Sequence, residues 1–141
     1  MIQVKKETLY AGMLKGLLTT FDLAKIIIPV SIVVTILGKS GALEFLADFA
    51  APLMRVFGLS GKAALALFSG YFINLYAAIG VILTLSLTLK ELMIIGVMLM
   101  LSHSLFMELA ISKKAGCSLF YVLLVRLIPS LLVGILGGWL F

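Results

Sequence analysis

Residues 58–89 read GLSGKAALALFSGYFINLYAAIGVILTLSLTL, and the architecture turns on them. Within this stretch, residues 63–89 carry no charge between Lys62 and Lys90. About 20 apolar residues suffice for a helix to cross a bilayer, so one kinked crossing fits. Yet Ser69, Gly70 and Asn74 interrupt the run near its middle. The same residues permit a re-entrant hairpin, in which two short helices enter and leave by one face. Irregular backbone at membrane depth is tolerated only where protein or a water-filled cavity covers it. The choice sets the side of the membrane for everything that follows. The GLSGK at its start is no phosphate loop, because the full spacing and the terminal Ser/Thr are missing.

Composition places the whole chain in a bilayer. Hydrophobic residues make up 63% of the 141 residues and charged residues 12%, with a mean hydropathy of +1.28. A soluble domain carries about 25% charged residues. The net charge of +5 is therefore read against anionic lipid headgroups. No basic run interleaved with aromatics marks a nucleic-acid surface, so no nucleic-acid partner is expected. The single cysteine, Cys117, excludes an internal disulfide and a multi-cysteine zinc site. The N-terminal residues MIQVKKETLYAGMLKGLL lack a compact apolar segment followed by a small-residue cleavage site. Targeting is expected to rest on the later hydrophobic segments, with the protein multi-pass in the cell (inner) membrane.

The remaining segments follow from periodicity. Residues 7–22 place Thr8, Gly12, Lys15, Thr19 and Asp22 on one side of a helix and Leu9, Met13, Leu14, Leu17, Leu18 and Phe21 on the other. This pattern predicts an interfacial amphipathic helix, with Lys5 and Lys6 supporting a cytoplasmic position. Residues 23–40 form the first membrane segment, with Pro29 in its first turn and Lys25 and Lys39 snorkelling at its ends. Residues 42–57 predict a second amphipathic helix, with Glu44, Asp48 and Arg55 on one stripe. Residues 91–112 and 117–140 predict a hairpin of two membrane helices joined at KKAG. The chain is thus expected to be an all-α integral membrane protein. It would have about four membrane-embedded segments, with broken or re-entrant helices, and two interfacial amphipathic helices.

Polar residues at mid-depth are the candidate site. In a hairpin centred between Lys114 and Ala115, positions summing to 229 lie level, which sets His103 beside Arg126 and Glu108 beside Tyr121. At ~1.5 Å per residue, His103 and Arg126 fall roughly 15 Å from the turn, near the middle of a core ~30 Å thick. Asn74 lies near the centre of its own uncharged run. Ionisable groups inside a membrane usually face the bundle interior and mark a pathway or site. Asn74, His103, Ser104, Glu108 and Arg126 are therefore the expected solute-binding residues, with Ser69, Gly70 and Ser102 as helix breaks. The bland alternatives are that Arg126 pairs with a helix C-terminus or with Glu108, and that His103 makes a structural hydrogen bond. His103, Glu108 and Cys117 show no metal-ligand spacing, so no metal and no cofactor are expected. His103 and Ser104 are helix neighbours pointing different ways, which makes no nucleophile–base pair and predicts a non-enzyme.

The block SGALEFLADFAAPLMRVFGLSGKAALALFSGY, followed by LTLKEL and the polar-interrupted LSHSLF, resembles the nucleoside recognition or Gate domain. The resemblance covers roughly residues 10–140. That domain occurs in small membrane proteins of the spore maturation protein A/B type, twice in the membrane core of the ferrous-iron transporter FeoB, and in related form in concentrative nucleoside transporters. The resemblance implies partly unwound helices around a solute site, here at Ser69 to Asn74 and Ser102 to Ser104. Gate domains of the FeoB type often carry a cysteine where this chain has LSHSLF, so iron is not implied. The expected function is a transporter or channel component for a small solute, nucleoside-like or an ion, acting as a dimer of Gate domains. The alternative is a non-transporting membrane scaffold or assembly subunit linked to spore or envelope maturation.

The dimer would be a homodimer, antiparallel in its sharper version, or a pair with a similar small Gate protein. Inverted pairs of such units commonly hold a site between them at the midplane. Basic residues divide five against five if residues 63–89 span, and six against four if they re-enter. Either bias is weak under the positive-inside rule.

Overall fold

The computed structural model describes residues 6–140. Lys5 lies outside them, as does the side chain of Lys6. Among the described residues there are helices and no strands: α1 (Lys6–Lys39), α2 (Ala42–Arg55), α3 (Ala63–Phe68), α4 (Leu75–Ile82), α5 (Leu89–Leu101), α6 (Leu105–Lys114) and α7 (Leu119–Leu140). A π-helical turn, Ser69–Ile73, extends α3. The protein is an all-α membrane protein. Three stretches are long and apolar enough to cross a bilayer: Glu7–Lys39, Leu89–Lys114 and Leu119–Leu140.

The stretch 63–89 folds back on itself. Asn74 is fully extended (φ −169°, ψ 170°), which ends the π-helical turn. Its side-chain carbonyl accepts the Ala77 N–H at 2.8 Å and so caps α4. The new helix then returns along α3, and Gly70 lies against Ala78 of α4. The expected break at Ser69 and Gly70 is thus displaced to Asn74. Ser69 and Gly70 themselves stay helical, because the Ser69 carbonyl takes the Asn74 N–H in a wide i→i+5 turn. Residues 83–88 after α4 are not helical, and α5 begins at Leu89 rather than at 91.

Three other expectations change. Residues 7–22 and 23–40 form one 34-residue helix, α1, so Pro29 lies in its interior rather than in a first turn. No glycine–proline stop or polar loop separates the two halves, and the i→i−4 ladder loses only the N–H that Pro29 lacks. Residues 7–22 are exposed on every side. Residues 91–112 divide into α5 and α6 at Ser102–Ser104. The last helix starts at Leu119, two residues later than expected, after a turn in which Gly116 takes φ +81°.

The core gathers small and branched residues of the folded-back pair against α5 and α2. Ala63, Ala66, Ala78, Ile95 and Met98 lose essentially all exposure. α5 packs along α7, and α4 along α1, where the Ser31 hydroxyl donates to the Gly80 carbonyl at 3.0 Å. Charged Glu44, Asp48 and Arg55 form one exposed stripe of α2, flanking the face that buries Leu43, Ala47 and Met54.

One polar clamp holds the ends of these elements together. Thr88 and Glu91 form a reciprocal capping box at the start of α5. Buried Glu91 also accepts the Ser60 N–H at 2.8 Å, joining the α2–α3 loop to α5. Gly58 beside it packs on the Gly138 backbone of α7. Glu91→Ala should therefore free the N–H groups of Ser60 and Thr88 together. An expected loss of about 2–4 kcal/mol, one unsatisfied buried donor costing about 1–3 kcal/mol, would appear as a lower midpoint in thermal unfolding in detergent. Glu91→Gln should lose less than half as much.

Candidate functional site

Two interrupted helices touch each other at their breaks. The Ser104 N–H donates to the Gly70 carbonyl at 2.8 Å, linking the α5–α6 break to the π-helical turn. Ser104 takes a left-handed conformation (φ 52°, ψ 41°), which is uncommon for a residue other than glycine. Ser102 is extended and wholly buried, and its hydroxyl has no hydrogen-bond partner.

The break leaves two helix ends inside the molecule, and charged groups answer both. A helix C-terminus carries roughly −0.5 charge and an N-terminus roughly +0.5. Arg126 of α7 donates from Nη1 to the Leu101 carbonyl, the last of α5, at 3.2 Å. Its Nη2 meets Glu108 Oε1 at 2.7 Å, and Glu108 stands in the first turn of α6. The second oxygen of Glu108, Oε2, is buried without a partner. Arg126 retains 38% of its side-chain exposure and Glu108 21%. The bland alternative for Arg126 is therefore what the geometry contains, in both its forms at once.

The other candidates are placed as follows. His103 Nδ1 lies 3.1 Å from the Leu99 carbonyl, a local bond within its own chain segment. Asn74 uses its side-chain oxygen on Ala77. Tyr121, expected level with Glu108, is exposed and sits edge-on to Phe120. Glu108 instead reaches Arg126, because the long guanidinium side chain spans the difference in depth. Ser69 and Gly70 are buried, and Gly70 presses on the Leu99 side chain.

Sequence reasoning missed a second polar link at the same level. The Tyr71 hydroxyl meets Ser130 Oγ at 2.7 Å, and Ser130 donates to the Met98 carbonyl at 2.8 Å. This chain ties the π-helical turn to α7 and α5. Tyr71 and Ser130 follow no motif, but Ser130 directly follows Pro129, whose missing N–H already marks the middle of α7 as irregular. Glu91 was also missed, although Thr88-x-x-Glu91 is a sequence signature of a helix start.

A family model described as "Gate: Nucleoside recognition" matches residues 20–116. The chain belongs to the Gate family. A Bacillus subtilis (strain 168) protein described as "Uncharacterized membrane protein YvoD" is 41% identical over 122 residues, which cover 86% of this chain and 39% of that relative. The chain thus spans about two fifths of the length of the relative it matches. No solved structure matches it. The Gate match takes in both interruptions, Asn74 and Ser102–Ser104, and ends before α7. Arg126 and Ser130, which bind the α5 side of the break from α7, lie beyond the matched residues.

Proposed function

We propose that this Gate protein is a component of a transporter or channel for a small solute in the cell membrane, with its site where the two interrupted helices meet. The observation that carries this reading is the Ser104–Gly70 bond between two broken segments. Broken helices put free backbone groups and helix ends at membrane depth, where protein or a water-filled cavity must cover them, and transporters use such breaks to hold solute. Asn74, His103, Ser104, Glu108 and Arg126 are the proposed lining residues. The folded-back pair α3–α4 is taken as a re-entrant hairpin, which puts Lys62 and Lys90 on one face.

Three full crossings then leave the two ends of the described chain on opposite faces. Such a unit is small for enclosing a solute, and two units are proposed to work together. The tip of the folded-back pair supports this, since Phe72 and Ile73 are exposed there. The length of the relative, which leaves room for a second domain of this size, supports it as well. A second copy of the chain, inverted in the membrane, is the proposed partner; a similar small Gate protein is the variant of that proposal. Reporters fused to each terminus should both signal from both faces, and a single fixed orientation would defeat the inverted pair.

Uptake of labelled uridine and of a panel of small ions into proteoliposomes tests the transport reading. His103→Ala and Arg126→Ala should each lower flux on the order of tenfold, the equivalent of ~1.4 kcal/mol. Flux equal to the unsubstituted protein would remove these residues from the pathway. A second reading, a membrane scaffold or assembly subunit linked to spore or envelope maturation, draws on the internal pairing of Arg126 with Glu108 and of Tyr71 with Ser130. No flux for any solute, with folding intact, would favour it.

A further inference from the structure

We propose that the Arg126–Glu108 pair is an exchange site for a small monovalent anion that enters together with a proton. Arg126 takes the anion and Glu108 takes the proton. The proposal rests on the transport reading and names the solute class for it.

The first argument is charge balance. The pair is neutral as it stands, one cation against one anion 2.7 Å apart. In a medium of low dielectric, a net charge costs several kcal/mol more than a paired one. A bare anion binding to Arg126 would leave the site at −1. A bare cation binding to Glu108 would leave it at +1. A neutral solute gives neither side chain a reason to release the other. An anion with one proton keeps the sum at zero: Glu108–COO⁻ gains the proton and becomes Glu108–COOH, its bond to Arg126 weakens, and the anion takes the vacated guanidinium edge. One O–H bond forms on Glu108 as the proton leaves its carrier acid or water, and nothing is oxidised or reduced.

The second argument is geometry. The ion pair uses one oxygen of Glu108, and Oε2 is buried with no partner. Arg126 has five N–H donors; Nη1 is fixed on the Leu101 carbonyl while Nη2 holds Glu108. The guanidinium can therefore change one partner and keep its position. At 38% exposure its side chain is not sealed inside the protein. Ser102 is wholly buried at the same break, with its hydroxyl bonded to nothing. The first turn of α6 beside it has no side-chain cap, and a helix N-terminus favours an anion.

The titratable groups on the elements around Glu108 are few. α7 contributes Arg126 and exposed Tyr121, and the π-helical turn contributes Tyr71, whose hydroxyl is engaged by Ser130. His103 sits at the break on the Leu99 carbonyl. Lys113 and Lys114 lie at the far end of α6, exposed. Glu108 is the only carboxylate among them.

The test is proton uptake by the purified full chain in lipid nanodiscs, in weakly buffered solution. The probes are sodium formate, sodium nitrate and sodium lactate, with uridine as the neutral comparison. Binding of an anion should remove about one proton from solution per anion, and the affinity should therefore fall as the pH rises. Glu108→Gln, which imitates the protonated side chain, should bind the anion with no proton uptake and no pH dependence. Arg126→Gln should lose anion binding. Size-exclusion profiles identify variants that fail to fold, and the unsubstituted protein alone still decides the stoichiometry. Anion binding without proton uptake, or no binding of any of the three anions, overturns the proposal. Uridine flux in proteoliposomes without anion binding overturns it and leaves the transport reading standing. Absence of flux for uridine and for the anions alike sinks both.

Discussion

Arg126→Met should destabilise the protein by about 1–3 kcal/mol, less than the ~3–5 kcal/mol of breaking a fully buried pair, because Arg126 keeps 38% and Glu108 21% of side-chain exposure. The substitution keeps an apolar stem of similar length, so packing changes little. What remains is the Glu108 carboxylate, with Oε2 already unpartnered and Oε1 now also free, and the Leu101 carbonyl without its donor. Glu108→Met should cost less than Arg126→Met, because Arg126 keeps its bond to Leu101. The double variant Arg126→Met/Glu108→Met removes both charges and should recover most of the loss, since replacing an ion pair withdrawn from water with apolar side chains is often neutral or stabilising. Unfolding followed by tryptophan fluorescence at Trp139, or by the detergent denaturant midpoint, gives the three values. A double variant as unstable as Arg126→Met would show that the arginine acts through packing instead. The same double variant should have flux lowered by at least the tenfold expected of Arg126→Ala, which separates the fold from the function the pair is proposed to serve.

The sequence made the break at Ser102–Ser104 legible because polar residues in an apolar helix compete for its backbone hydrogen bonds. The depth argument sets His103 beside Arg126 and Glu108 beside Tyr121, whereas Arg126 bonds the Leu101 carbonyl and Glu108, the pairing that the sequence offers as the alternative. Equal depth locates Cα atoms, whereas a guanidinium reaches several ångströms along the helix axis. The sequence leaves folding back within residues 63–89 as one of two alternatives. Periodicity is the same for a kinked and a returning helix, and only the extended conformation of Asn74 with its cap on Ala77 separates them. The continuity of α1 was not legible, because an amphipathic half followed by an apolar half looks like two elements whenever each half is read on its own. The Tyr71–Ser130–Met98 link was hidden because each residue is ordinary and the contact joins positions far apart in sequence.

Glycine packing carries the other large effect. Where the α2–α3 loop crosses α2, a Cβ on Gly61 would fall inside the Ala47 carbonyl group. Where that loop meets α7, a Cβ on Gly138 would sit 2.5 Å from the Phe57 carbonyl carbon and 2.8 Å from the Gly58 nitrogen. Both obstacles are backbone, which cannot rotate away as a side-chain end can. Gly61→Ala and Gly138→Ala should each cost at least the 1–3 kcal/mol of an ordinary overpacked site, about 3 kcal/mol or more where two backbones must separate. Gly138→Ala should also loosen the Ser60–Glu91 bond, because the loop that carries Ser60 would have to move off α7. Gly96, in the interior of α5, is the control: nothing lies within 4 Å of its added Cβ. Gly96→Ala should raise stability by up to about 1 kcal/mol, the helix-propensity difference between the two residues. Thermal midpoints of the three variants in one detergent should therefore fall on both sides of the unsubstituted protein. A Gly96→Ala protein as unstable as Gly61→Ala would mean that the open face of α5 is occupied in the membrane by a partner packed as closely as α2 packs on its loop.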